Sequence, residues 1–237
     1  MSDLSTPFFA PRPQLRVLMG ILLLLAFGFQ QDAYAQKNKR KELNAQIRLM
    51  ERSSGFSPRD TAYVDLVNKL AGEMRFYNAD SLHQLAEKAL KLSQESGYPR
   101  GESISNMHLA HYYSDRGNSE TAISHFRKGL KLAAEIKDDQ LYLSMLNYIS
   151  GEYEYQGDYA KALNGYLTAL ERAEAQEELL LQSVINENIA NLYASQKYYD
   201  ESLKYYDTVK HLNDSLGNEI AQAETMSNLA SVYADME

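Results

Sequence analysis

Cysteine is absent from this sequence of 237 residues, and so is tryptophan. Without cysteine the chain has no disulfide framework, no thiolate metal site and no cysteine nucleophile. Glycine and proline number only 12 and 5, which leaves little of the turn chemistry that an all-β fold requires. Apolar residues nevertheless make up 44%, so the chain can bury a core and is not disordered.

Charge of either sign is interspersed along the chain, and the net charge is −8. Because an acidic surface repels phosphate backbones, we do not expect nucleic acid as a partner. The basic run at 37–41 interrupts this pattern. We interpret it as a linker into a short helix at 43–52, although such a run could also contact anionic lipid.

The N-terminus has the layout of a secretory signal peptide. Two arginines precede an apolar run at 17–29, which at about 1.5 Å per residue is too short to cross a hydrocarbon core of ~30 Å. Ala33-Tyr34-Ala35 then provides a cleavage site. We therefore predict a signal peptide at 1–35, cleavage before Gln36, and a soluble mature protein in the periplasm or outside the cell. The alternative is an uncleaved membrane anchor.

An internal repeat with a period of 40 residues dominates the remainder of the chain. Small residues, each followed three positions later by tyrosine, stand at Ala110, Ser150, Ala190 and Ala230. A second block keeps the same spacing, at Ala122, Ala162 and Ser202 and at Phe126, Tyr166 and Tyr206. The predicted units are a basic linker with a short helix at 36–59, repeats at 60–98, 99–138, 139–178 and 179–218, and a half-repeat at 219–237.

Each repeat is predicted to be a helical hairpin. In the third repeat the apolar positions recur at helical spacing, and Gly157-Asp158 suits a helix end followed by an N-cap. Small residues such as Ser150 and Ala162 would let the two helices approach closely. Aromatic residues such as Tyr166 would fill the gap to the next hairpin. A hairpin of this kind cannot bury its apolar face alone, so the repeats are expected to stack.

These residues resemble the tetratricopeptide repeat: Ser150, Tyr153, the Gly157-Asp158 turn, Ala162, Tyr166 and Ala169-Leu170 follow its order of small, aromatic and turn residues. The resemblance implies an all-α, TPR-like α-solenoid of stacked hairpins that forms a right-handed superhelix. Two features depart from the family pattern. The period is 40 rather than ~34 residues, which predicts longer helices, and the closing proline is missing.

The stretches 60–66 and 78–82 resemble the first repeat of exported Bacteroidetes tetratricopeptide sensor regions. In that family such repeats precede a membrane helix and an output domain. The resemblance therefore implies an alternative function, the sensory region of a truncated membrane sensor histidine kinase or of a TPR-containing transcriptional regulator. The helix at 226–237 has only one neighbour to cover it, which predicts either a fragment, the interpretation we favour, or a last helix that caps the solenoid by itself. The uncovered face would also allow end-to-end self-association.

The concave face is the predicted binding site, because the first helices line it in this family. Asparagine amides there could pair with the backbone of an extended peptide, or they could simply bond neighbouring helices. No basic residue occupies the positions that the family's carboxylate clamp uses. The predicted groove residues are Met107, His108, His111, Asn147, Glu154, Glu187, Asn188, Asn191, Asn228 and Ser231.

No catalytic motif is present, so we predict a non-catalytic scaffold that binds a protein or extended peptide, without a cofactor. His108 and His111 could contact one metal ion, but they lack an H-E-x-x-H pattern or a carboxylate at ligand spacing, and a place in the groove is favoured. Tyr112, Tyr155 and Tyr198 do not recur with the repeat and could serve as binding anchors.

Overall fold

The computed structural model of the protein describes residues 34–236, which contain ten helices and no β-strand. The predicted signal peptide lies outside this range except for its last two residues. None of the helices in the described part combines the length and apolar composition that a membrane crossing requires. The helices are α1 (34–51), α2 (Thr61–Met74), α3 (Ala79–Ser96), α4 (Pro99–Ser114), α5 (Ser119–Glu135), α6 (Asp139–Tyr155), α7 (Tyr159–Ala175), α8 (Leu179–Ser195), α9 (Tyr199–Leu216) and α10 (Glu219–Met236).

A left-handed residue ends each helix from α3 to α9, and these residues are spaced 20 apart. One residue later, a backbone N–H donates to the carbonyl five residues back, as from Asp158 to Tyr153 at 2.9 Å. This bond is the Schellman motif, which satisfies carbonyls at a helix end. The period of 40 is therefore two units of 20. The left-handed residues are Gly97, Gly117, Lys137, Gly157, Glu177, Lys197 and Gly217.

Side-chain caps start the second helices of the first three hairpins. Asn78, Asn118 and Asp158 each accept a hydrogen bond from the backbone N–H three residues further on. Such a bond satisfies one of the free donors of the first turn. The capping role predicted for Asp158 and the turn predicted at Gly157 are both confirmed.

The small residues of the repeat bring the helices of each hairpin together. Ser150 and Ala162 are fully buried, and a methyl group added at Gly165 would lie 2.2 Å from Oγ of Ser150. Tyr166 is 2% exposed and packs in one cluster with Ile185 of the next hairpin. The predicted roles are confirmed for these residues: the small side chains allow close approach within a hairpin, and the aromatic side chain packs against the next hairpin.

Helix α1 lies at the N-terminal end of the described part of the solenoid. Its buried residues Leu43 and Ile47 pack in one cluster with Val64 and Val67 of α2. The helix is longer than the sequence predicted, because the basic run at 37–41 is helical rather than a linker. A polar outer face on a terminal helix is the usual capping arrangement of a solenoid.

Helix α10 closes the described part at the other end. Val232 is buried in a cluster with Tyr206 of α9, whereas Tyr233 is 58% exposed and Met226 57% exposed. Only α9 packs extensively against this helix. The predicted self-association through this end stays a prediction.

Candidate protein-binding face

The first helices of successive hairpins form the inner face of the solenoid. Helix α2 approaches α4, α4 approaches α6 and α6 approaches α8, whereas the second helices α3, α5, α7 and α9 show no comparable approach to one another within 34–236. Helices that crowd on one side and spread on the other curve the stack. The crowded side is the concave one, and the sequence-predicted groove residues all belong to its helices.

Amide hydrogen bonds join neighbouring first helices in the C-terminal half of this face. The amide nitrogen of Asn188 donates to Oδ1 of Asn147 at 2.9 Å. The amide nitrogen of Asn228 donates to Oε1 of Glu187 at 2.7 Å. Each pair spans 41 residues, so one position of a repeat bonds the following position of the next repeat. Three of the predicted asparagines, Asn147, Asn188 and Asn228, thus bond neighbouring helices, as the alternative interpretation of these residues predicted.

Tyrosine hydroxyl groups of the second helices donate hydrogen bonds to side chains of the first helices. The hydroxyl of Tyr166 donates to Oε2 of Glu154 at 3.0 Å, and that of Tyr206 donates to Oδ1 of Asn191. Burial raises the pKa of Glu154, although the Tyr166 hydrogen bond opposes the shift. Burial also raises the pKa of Tyr206, to about 12. These hydroxyl groups therefore remain protonated donors at neutral pH.

Glu187 lies at the centre of the polar half of the face. Burial raises the pKa of its carboxyl group, the nearby Glu224 raises it further, and the hydrogen bond from Asn228 opposes both. Desolvation and a like charge both disfavour the ionised form. This half of the face therefore combines amide side chains with two carboxyl groups, of Glu154 and Glu187, that are easier to protonate than usual.

Histidine occupies the equivalent positions in the N-terminal half. His108 is 9% and His111 5% exposed, and a methyl group at Gly72 would lie 3.2 Å from Cε1 of His108. Burial, with a smaller effect of Arg75, lowers the pKa of His108 to about 4 and that of His111 to about 3. Both rings are therefore neutral at pH 7 and belong to the packed interior of the face.

Aromatic and charged residues complete this N-terminal half. The ring of His111 meets that of Tyr148 edge to face at 4.5 Å between centroids, and Tyr148 stacks on Phe126. Arg75 holds Asp115 through two hydrogen bonds, of 2.9 and 3.1 Å. Neither Tyr148 nor this ion pair was predicted from the sequence. The repeat period is the sequence signal for these contacts, because Tyr148 lies 40 residues after His108 and Asp115 lies 40 residues after Arg75.

The ten predicted groove residues lie on the inner helices but differ in access. His108, His111 and Asn147 are buried, and five others are half-buried, while Asn191 and Ser231 are exposed. That a peptide contacts them stays a prediction. The half-buried residues are Met107, Glu154, Glu187, Asn188 and Asn228.

The three non-recurring tyrosines also differ in access. Tyr155 is 74% and Tyr198 56% exposed, so both side chains are free to contact a partner. Tyr112 is half-buried beneath the guanidinium group of Arg116, 3.7 Å from its ring centroid. Among the residues that the structure describes, no three His, Asp or Glu side chains are grouped to hold a metal ion.

The architecture and the inner face together define a helical-repeat solenoid. Residues 105–136, which span most of α4 and all of α5, match the family model described as tetratricopeptide repeat. This segment is therefore similar to a tetratricopeptide repeat, and the described residues form a TPR-like helical solenoid. The finer likeness to exported Bacteroidetes sensor regions stays a prediction.

Known proteins that resemble this chain include one curated relative, the 43 kDa receptor-associated protein of the synapse from Tetronarce californica. It is 24% identical over 144 residues, which cover 59% of this chain and 35% of the relative. The chain thus spans about a third of the length of the curated relative that it matches.

Two solved structures show the same fold. One is the signal transduction ATPase with numerous domains, with a tetratricopeptide repeat sensor, from Pyrococcus horikoshii, at TM-score 0.69 and 17% identity, covering 84% of this chain and 31% of that one. The other is a Rap protein complexed with Competence and Sporulation Factor, at TM-score 0.64 and 15% identity, covering 83% of this chain and 62% of that one.

Proposed function

We propose that this chain is an exported, non-catalytic scaffold whose concave face binds an extended segment of a partner protein. The observation that carries the proposal is the polar half of the inner face. There Asn188, Asn191, Asn228 and Ser231 remain half-buried or exposed on neighbouring helices. A continuous, partly open row of polar groups is a surface that an extended chain can follow.

The unused hydrogen-bonding capacity of these amides supports the proposal. An asparagine side chain has two donor hydrogens and an acceptor oxygen with two lone pairs. The amide nitrogens of Asn188 and Asn228 each make one bond within the face. Their remaining donor and their carbonyl oxygens can pair with a peptide backbone, which offers one donor and one acceptor per residue.

Similar proteins support the binding role as well. The TPR-like fold is typical of non-catalytic binding scaffolds, and a Rap protein with this fold was solved in complex with Competence and Sporulation Factor. We infer a protein or peptide ligand for this chain from that likeness and from the chemistry of the face.

Photo-crosslinking tests the binding face. A benzoylphenylalanine replaces either Asn191 on the inner face or Lys131 on α5, whose side chain is 79% exposed. We expect partner crosslinks from position 191 and none from position 131. A second substitution, Asn228→Asp, should weaken the complex and reduce the crosslinking from position 191. Equal crosslinking from both positions would contradict the proposal.

Export is a separate part of the proposal, because it depends on the predicted leader. We expect the protein isolated from a secreting host to begin at Gln36, as read by mass spectrometry of its N-terminal peptide. A protein recovered with residues 1–35 attached would instead support the uncleaved anchor.

The sensory alternative has one observation in its favour. One solved structure with the same fold, at 17% identity, is a signal transduction ATPase with a tetratricopeptide repeat sensor. Sequencing the gene downstream of the Glu237 codon separates the two functions. A continuing frame with a membrane span and a kinase or DNA-binding domain favours the sensor, and a frame that closes within about one helix favours the scaffold.

A further inference from the structure

A basic cleft lies along α1, at the end of the solenoid opposite to α10. It has a volume of about 650 Å³, and no carboxylate is among the residues that line it. The cleft is distant in the chain from the polar half of the inner face, and no part of the proposed binding role uses it. Its principal lining residues are Lys37, Arg40, Lys41, Arg48, Arg52 and Tyr77.

Helical spacing gathers these cations on one side of α1. Lys41 and Arg48 are seven residues apart, so they lie on the same face, two turns from each other. Leu43 and Ile47 occupy the other side, where they are buried against α2. The packing of α1 therefore leaves the basic side outward, and both Lys41 and Arg48 are exposed.

The charge of this region opposes that of the remaining chain. Residues 34–52 carry six basic and two acidic side chains, a net charge of +4 in a chain whose net charge is −8. The acidic Glu51 is already occupied, since it accepts a hydrogen bond from the Tyr63 hydroxyl at 2.6 Å. Within residues 34–236, Lys39 is the one cation of α1 that is paired with a carboxylate, 2.7 Å from Glu73. The five cations of the cleft form no ion pair among the described residues.

Large apolar side chains are exposed beside the cations. Leu49 is 73%, Tyr77 67% and the adjacent Phe76 90% exposed. The guanidinium group of Arg40 lies 4.0 Å from the ring centroid of Tyr77. Basic side chains combined with exposed aliphatic and aromatic ones are the composition of surfaces that rest in the headgroup region of a bilayer.

We propose that this α1 face docks on a membrane surface rich in anionic lipid. Leu49 and Tyr77, which both line the cleft, favour a bilayer over nucleic acid or an acidic peptide, because their side chains can enter the boundary between headgroups and acyl chains. The acidic repeats do not prevent such docking. Helices pack 8–10 Å apart, so beyond the first hairpin their charges lie farther from the membrane than a Debye length of about 10 Å.

Vesicle sedimentation of the full chain tests this docking. Partition is measured on phosphatidylcholine vesicles and on vesicles in which a third of the lipid is phosphatidylglycerol. The variant Lys41→Glu with Arg48→Glu reverses two cations of the face. Its control, Lys91→Glu with Lys131→Glu, makes the same change of net charge at side chains that are 79% exposed on α3 and α5. The leader is common to all proteins and cancels in the comparison.

We expect the wild type and the control to prefer the anionic vesicles, and the α1 variant to lose about tenfold or more of that preference. Added salt should weaken the wild-type preference. Circular dichroism checks that the charge-reversed variant is folded. If it is not, the neutral variant Lys41→Gln with Arg48→Gln replaces it in the same test. A separate variant, Leu49→Ser with Tyr77→Ser, should lower binding severalfold and leave its salt dependence unchanged.

Three results would overturn the docking proposal. One is an α1 variant that binds the anionic vesicles as strongly as the control does. Another is a wild-type protein with no preference for those vesicles. The third is binding to duplex DNA or polyaspartate that the α1 variant loses, without any preference for anionic lipid.

Discussion

The two halves of the inner face share one helical arrangement and differ in the side chains that fill it. At positions 108 and 111 the face carries buried histidines, whereas 80 residues later it carries the half-buried Asn188 and the exposed Asn191. Aromatic rings and an ion pair close the N-terminal half, and amides leave the C-terminal half partly open. The repeat thus sets the positions of the side chains. The chemical type of each side chain determines whether that part of the inner face is packed and buried or open to a partner.

A second difference between the halves lies between the helices. The equivalent positions 129, 169 and 209 hold glycine, alanine and valine, all buried. At Gly129 an added methyl group would lie 2.6 Å from Cε of Met145 and 3.0 Å from the carbonyl oxygen of Ser103. The N-terminal half is therefore closed more tightly at this position than the C-terminal half.

Replacing both histidines by asparagine, the residue at the equivalent positions of the other half, should produce the largest change in the pH dependence of the free energy of unfolding. The folded-state pKa values of His108 and His111 are about 4 and about 3, below the ordinary value of about 6.5. Between pH 6.5 and 4 the unfolded chain thus binds more protons at these residues than the folded chain does. The free energy of unfolding should fall as the pH falls through this window.

The measurement is urea unfolding at pH 7 and pH 4 of the wild type and of His108→Asn with His111→Asn. We expect the wild type to lose about 6 kcal/mol more than the variant on acidification, about 3 kcal/mol for each histidine. Glu187 acts in the opposite direction in both proteins, because its pKa is raised. Parallel pH dependence of the two proteins would mean that the histidines are accessible to protons in the folded chain.

Gly129→Val should give the next largest effect, since it introduces the residue that Val209 provides in the last full repeat. The methionine can move, but the Ser103 carbonyl belongs to the α4 backbone and cannot easily yield. Overpacking of this kind costs about 1–3 kcal/mol. Thermal unfolding checks the loss, and Ala169→Val is the matched variant, with a smaller increase in volume. An unchanged melting temperature for Gly129→Val would argue against the close approach of α4, α5 and α6.

The cross-repeat amide pair should contribute a smaller amount. A double-mutant cycle on Asn147→Ala and Asn188→Ala should give a coupling free energy of about 0.5–1.5 kcal/mol, the usual net value of one hydrogen bond. Asn191→Ala paired with Asn147→Ala is the control, as no bond joins these residues among the described contacts. A coupling near zero for the first pair would mean that the bond does not persist in solution.

The turns should give the smallest effect, and one of opposite sign. Lys197 has φ of 65°, in the left-handed region that glycine adopts without strain. Lys197→Gly should therefore stabilise the chain by about 0.5–1 kcal/mol. This net value is the strain relieved at the turn minus the conformational entropy that glycine loses on folding. Gly157→Ala, at the equivalent turn of the preceding repeat, should destabilise it by a similar amount. Denaturant unfolding compares the two, and equal signs would contradict the shared turn geometry.

The fold was predictable from sequence because the period appears in residue types that packing constrains. Ser150 and Ala162 must be small, and Tyr166 must fill a gap, so chemistry and spacing coincide. The helical turns at Lys137, Glu177 and Lys197 were not predictable in the same way. Their left-handed conformation is imposed by the repeat, although the residue types do not favour it.

The inner face was predictable in position but not in burial. Register places His108, Asn188 and Asn228 at equivalent points of their repeats. Whether such a residue is buried depends on long-range neighbours such as Gly72, which leaves room for the His108 ring. Likewise, no local pattern indicates that Asn188 bonds Asn147, because the register between neighbouring first helices is set by tertiary packing.

Hydrogen–deuterium exchange of the chain, alone and with its crosslinked partner segment bound, tests the binding role of the open half most directly. Bound ligand should slow exchange in α6, α8 and α10, which form the inner face, and leave α5, α7 and α9 unchanged. Protection confined to α5, α7 and α9 would place the partner on the outer face and contradict the proposed function.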